Sequence, residues 1–186
     1  MPNNVKNNFT RDEDLKIEDI ETTVTISDID DGDDLDEDAK EFDLKPGNDE
    51  KVNIEFKIPL EVDEDTYNVL IEVSGEDENG TTHEVQYELE LEVQKEDNEI
   101  RFLRNSLAPS EIKCSRSVQL STAVINTGAD DEEDVTLEVT NTELGVSFKD
   151  VFDLSNDPFD EDSKFRKTFT LNVPKEVEAG VYTITS

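Results

Sequence analysis

Hydrophobic and polar residues alternate with a period of two along most of this chain. The clearest case is "THEVQYELELEVQ", where Val85, Tyr87, Leu89, Leu91 and Val93 alternate with Glu84, Gln86, Glu88, Glu90 and Glu92. Period two sends one set to each face of an extended strand, whereas a helix would scatter both around its circumference. The run predicts a half-buried antiparallel strand. Tyr67, Val69, Ile71 and Val73 alternate in the same way just upstream. Asn79-Gly80 between them suits the positive φ values of a tight turn, so residues 66–93 are expected to form one hairpin.

Further alternating runs are Ile20 to Ile26, Val52 to Ile58, Val118 to Val124, Val135 to Val139 and Phe169 to Val173. Pro59 and Pro174 close two of them, since proline cannot donate to a ladder. No stretch shows helical periodicity. Short strands separated by turn signals predict an all-β chain built as a β-sandwich.

The pattern repeats. "EDIETTVTI" at 18–26 resembles "EDVTLEVTN" at 133–141, and "EFDL" at 41–44 resembles "VFDL" at 151–154. "IEFKIPLEVDEDTYNV" at 54–69 resembles "FTLNVPKEVEAGVYTI" at 169–184. Pro59 and Pro174 lie 115 residues apart (174 − 59), as do Tyr67 and Tyr182 (182 − 67). Equal order and spacing predict two copies of one unit, at 1–95 and 96–186. The first copy has only "NNVKNNF" where the second has "EIRFLRNSLAPSEIKCSRSVQLSTAVINTG". The second stops at "YTITS", before any match to the strand at 84–93. Both sandwiches are therefore expected to be incomplete at the chain ends, as in a gene fragment, with strand edges open to self-association.

Composition narrows the function classes. Acids number 50 against 17 bases, a formal net charge of −33. Nucleic acid is an unsuitable partner, because binding it requires Lys and Arg to neutralise phosphates. Cations and basic proteins suit the charge better. Leu, Ile, Val and Phe supply 51 of 186 residues, above the roughly 20% below which highly charged chains stay unfolded. No apolar run approaches the ~18 residues of a membrane span, and the start lacks a signal-peptide pattern.

Candidate chemistry is sparse. The acidic run "SDIDDGDDLDEDAKEF" occupies 27–42, and residues 27–41 are expected to be an inter-strand loop. Asp28, Asp30, Asp31, Asp33, Asp34, Asp36 and Asp38 are candidate calcium ligands, because calcium takes 6 to 8 oxygens. EF-hand spacing fails: counted back from Gly32, its first and third positions are Ser27 and Ile29. The bland alternative is a solvated loop. "ADDEED" at 129–134 is expected to be a charged turn. His83 is the only histidine and Cys114 the only cysteine. No nucleophile elbow or phosphate-binding glycine loop is present, so no catalytic residue is assigned and the chain is not expected to be an enzyme. Asn8 in "NFT" and Asn79 in "NGT" match glycosylation acceptors. Cys114 is either a small buried residue or half of a disulfide whose partner lies past Ser186.

The segment from about Ile100 onward resembles the CARDB-like and related immunoglobulin-like repeats of prokaryotic surface proteins. The resemblance rests on Val124, Asn126 and Gly128 of a V-x-N-x-G turn, and on Pro174 followed by Gly180 and Tyr182. The first copy keeps Pro59 and Tyr67 but has Asp65 and Phe9 in place of the two glycines. The Asp-rich composition looks like that of archaeal secreted and cell-surface proteins. The resemblance implies two tandem immunoglobulin-like antiparallel β-sandwich domains with a non-catalytic extracellular role in adhesion or spacing. Their partners would be neighbouring domains of the parent protein, or other surface proteins. The alternative is a glycan- or calcium-binding accessory module of a larger extracellular enzyme, although Trp is absent and aromatic residues make up 6%. A third class, an acidic mimic of nucleic acid that captures basic proteins, has only the net charge behind it.

Overall fold

A computed structural model describes residues 4–113 and 115–186. The described chain is all-β, with several antiparallel sheets and a single 3₁₀ turn at Glu161–Ser163. It divides into two compact units, Met1–Gln94 and Lys95–Ser186.

In the first unit, β1 (Asn4–Lys6), β2 (Ile17–Asp30), β3 (Asp33–Asp38), β4 (Phe42–Leu44), β5 (Asp49–Lys51), β6 (Thr66–Asp77) and β7 (Thr82–Glu92) follow one another. The main sheet runs β3-β2-β6-β7, with β4 also paired to β2 and a separate β1-β5 ribbon. Its buried residues form two clusters. Ile26, Ile29, Val62 and Tyr67 form one; Ile17, Ile20 and Leu44 form the other. Ile29 is fully buried, and burying a side chain of that size stabilises by about 1.5–3 kcal/mol.

The second unit contains β8 (Ile100–Ala108), β9 (Ser117–Asn126), β10 (Glu132–Asn141), β11 (Val146–Leu154) and β12 (Lys164–Asn172). A β12-β9-β8 sheet and a β10-β11 ribbon contribute to one core. Leu120, Leu137, Val139, Leu144, Val146, Phe169 and Leu171 make up that core.

Four expectations need correction. Residues 27–41 are not a single loop: β2 continues to Asp30, turns at Asp31-Gly32 and returns as β3, and only residues 39–41 connect it to β4. Both turn residues have positive φ (52° and 83°), as a two-residue hairpin demands. Residues 52–58 alternate between exposed and half-buried but form no ladder beyond β5, because β1 offers β5 only three partners. At the β6–β7 turn only Gly80 has positive φ. Gly80 donates its N–H to the Asp77 carbonyl at 2.8 Å, and Asp77 donates its own to Thr81 at 2.9 Å, giving a three-residue loop. Finally, β7 is a strand but not half-buried: Val85 is 49% and Tyr87 62% exposed. Alternation defined its apolar face, and nothing among the described residues covers the middle of it.

Candidate functional site

The acidic hairpin is the first candidate. Along β3 the two-residue period places Leu35 on the face of Ile26, its cross-strand partner, and Asp34, Asp36 and Asp38 on the opposite face. Successive carboxylates on that face start from Cα atoms about 7 Å apart. Several are held by neighbours. Asp34 Oδ1 accepts the Asp28 N–H at 2.9 Å, and Asp38 Oδ1 accepts the Thr23 hydroxyl at 2.7 Å. Asp36 lies opposite Thr25, and Asp30 opposite Asp33. Asp28 and Asp31 adopt left-handed backbone at the bulge and the turn. Among the described residues no three His, Cys, Asp or Glu side chains are grouped to hold a metal ion. What the charge does do is protect an edge: β3 ends its sheet, and charge on an edge strand discourages other chains from pairing there.

The most informative polar groups are those that the repeat aligns between the two units. Tyr67 donates its hydroxyl hydrogen to the Asp63 carbonyl at 3.1 Å, and Tyr182 donates to the Glu178 carbonyl at 2.9 Å. Both bonds span four residues, and the pairs are 115 residues apart. Asp19 (φ 50°) and Asp134 (φ 54°), also 115 apart, occupy left-handed bulges in β2 and β10. The Asp19 N–H is donated to Asp43 Oδ1 at 3.2 Å, and the Asp134 N–H to Asp153 Oδ1 at 2.9 Å. Those acceptors are the aspartates of "EFDL" and "VFDL". Lys16 donates to Asp43 Oδ2 at 2.6 Å, and these two bonds hold the Asp43 carboxyl below its usual range. The signal for these devices lay in the repeat itself, which aligned each pair.

Asn126 and Asn7 form a third matched pair. Each is buried. Each accepts the backbone N–H two residues on, from Gly128 at 2.8 Å and from Phe9 at 2.9 Å. Asn126 also donates to the Asp130 carbonyl at 2.7 Å. Gly128 is required by close approach rather than by φ: a Cβ there would lie 2.7 Å from the Glu99 nitrogen and 2.8 Å from the Asp97 oxygen. The V-x-N-x-G segment thus clamps residues 96–99, with Thr127, Gly128, Ala129 and Asp130 all donating N–H groups to them.

His83 is held, not free. Its Nε2 donates to Asp77 Oδ2 at 3.0 Å, and its ring meets Phe9 edge-on at 5.4 Å. Asp77 Oδ1 accepts the Asn79 and Thr81 N–H groups at 2.8 and 3.1 Å. The His83 hydrogen bond, then the backbone donor of Thr81, lowers the Asp77 pKa. The constellation shapes a turn; it pairs no base with a nucleophile. Beside it runs an open groove of about 250 Å³ lined by Val5, Ile17, Ile20, Val73, Val85 and Tyr87 among others. In the second unit Ile100 (40%) and Phe102 (50%) of β8 are likewise exposed. Asn8 and Asn79 are both exposed. Cys114 lies outside the described residues. No helix among the described residues is long and apolar enough to cross a membrane.

Comparison of the chain with protein-family models, with curated proteins and with solved structures found no match.

Proposed function

We propose that this chain is a non-catalytic segment of a secreted or cell-surface protein, in which two immunoglobulin-like β-sandwich units of CARDB-like kind act as spacing or adhesive modules. The carrying observation is the paired tyrosine bond: Tyr67 to Asp63 and Tyr182 to Glu178 recur at one spacing. A tyrosine hydroxyl bonded to backbone a few residues upstream, at a corner between strands, is a hallmark of immunoglobulin-type sandwiches. The use made of polar groups supports a structural role. Asp43, Asp77, Asp153 and Asn126 bind backbone N–H groups at bulges and turns. Excess acid on exposed strand faces keeps tandem modules soluble and apart.

Protease treatment of intact cells that produce the protein tests the reading. Release of peptides from residues 95–186 without lysis is the expected result. Recovery of those peptides only after lysis would overturn the surface placement. Saturable binding of the purified chain to an immobilised glycan would instead favour a carbohydrate-recruiting module.

A further inference from the structure

The free edge of β10 points to a specific occupant. Thr140 and Thr185 exchange two backbone hydrogen bonds, N–H to O at 2.8 Å and at 3.0 Å, in an isolated antiparallel bridge. In the first unit, the pair at the same positions of the repeat is Thr25 and Leu70 (140 − 25 and 185 − 70 are both 115). There the ladder continues through Thr23–Glu72 to Glu21–Ser74. By the two-residue period, Glu138 and Thr136 present their N–H and C=O groups to the same edge as Thr140. Among the described residues no strand continues along it.

The side chains agree with the register. Tyr182 and Ile184 pack against the core of the second unit, as Tyr67 and Val69 pack in the first. Ser186, at the position of Ile71, donates to Asn105 of β8 at 3.4 Å. Phe102 and Ile100, further along β8, remain exposed. In the first unit, β7 lies beyond β6, with Tyr87 opposite Ile71 and Val85 opposite Val73.

We infer that the β10 edge and the adjoining face of β8 form a docking surface for a β-hairpin of the β6–β7 kind. The hairpin enters antiparallel to β10 in the register that the Thr140–Thr185 bridge sets. Its first strand pairs with Glu138 and Thr136. Its apolar alternation covers Ile100 and Phe102, and its acidic alternation faces water. This inference does not depend on the surface placement proposed above.

The test extends the full chain. A copy of Glu72–Gln94 is appended directly after Ser186, which continues the repeat in register. A control carries one extra glycine before the same copy, and that shift turns the apolar set to the opposite face. The in-register extension is expected to slow amide exchange of Glu138 and Thr136 by at least about tenfold and to raise the Tm of the second unit. The shifted extension is expected to do neither. Equal protection by both extensions, or by neither, would overturn the assignment. So would finding these amides already protected in a dimer of the unextended chain, which would give the edge to a second copy.

Discussion

The two units assemble one motif from opposite ends. In the second, β9 pairs with β12 along nine residues. In the first, β1 meets β5 in the same register through three: Lys6 with Asp49, Val5 with Glu50, Asn4 with Lys51. Their counterparts are Ile125 with Lys164, Val124 with Phe165, and Ala123 with Arg166. Conversely, the β2–β6 ladder of the first unit is represented in the second, among the described residues, by the single pair Thr140–Thr185. Identical alternation therefore has different outcomes. Leu171 and Phe169, on β12, are buried, while Phe56 and Ile54, at the same positions of the repeat, are only half-buried. Burial is a property of the layer opposite a strand as much as of the strand.

Core truncation should break this comparison most visibly. Leu171→Ala removes a side chain that is 3% exposed and should destabilise the second unit by about 2–5 kcal/mol. Phe56→Ala, although it deletes a larger group, should cost less than about 2 kcal/mol, because its site is only half-buried and can relax. Urea unfolding followed unit by unit by amide exchange measures both. Equal costs would mean that residues 52–58 are covered as well as β12 is.

A smaller effect is expected at the tyrosine bonds. Tyr67→Phe and Tyr182→Phe each delete one hydroxyl-to-carbonyl bond, worth about 0.5–1.5 kcal/mol. Tyr67 is 8% exposed, and burial raises its hydroxyl pKa above the ordinary value, whereas Tyr182 is half-buried. The first substitution should fall near the top of that range and the second near the bottom. Tyr87→Phe, at a residue 62% exposed, should stay within about 0.5 kcal/mol. Thermal melts of the three variants rank them, and a Tyr87 effect as large as that of Tyr67 would show that the β7 face is covered in solution.

These contrasts mark how far sequence reaches. Alternation placed β2, β6, β7, β9, β10 and β12, because strand identity depends on local period. It did not tell that Val85 and Tyr87 face solvent, because what covers a face is decided by residues far away in the chain. The acidic run reads as a loop from its composition for a different reason. Charge dominates the segment, while Asp31-Gly32, flanked by Ile29 and Leu35, is the hairpin signal. The candidate ligands Asp28 to Asp38 were legible as carboxylates, yet their distribution over strand faces, turn and bulge required backbone geometry. Asp19 and Asp134 were visible only as aligned letters of the repeat; their left-handed backbone explains why a short polar residue stands there in both copies.

The smallest expected difference is in acid. Residues 1–94 carry 31 acidic and 7 basic side chains, a net of −24; residues 95–186 carry 19 and 10, a net of −9. Protonation from neutral pH downward first relieves self-repulsion, more in the first unit than in the second. Asp77 works against that relief. Its pKa is lowered in the folded chain by His83 and by the N–H of Thr81. Its contribution is therefore present above the unfolded carboxylate value of about 3.9 and is lost as pH falls through the lower folded value. The first unit should hold or gain Tm down to about pH 5 and then lose it below about pH 4. Asp77→Asn, which keeps an acceptor for the turn but cannot titrate, should lower Tm near neutrality and flatten the acid limb. Melting curves of both proteins from pH 7 to pH 3 measure this. Superimposed curves over the whole range would show that the Asp77–His83 bond leaves the stability of the hairpin unchanged.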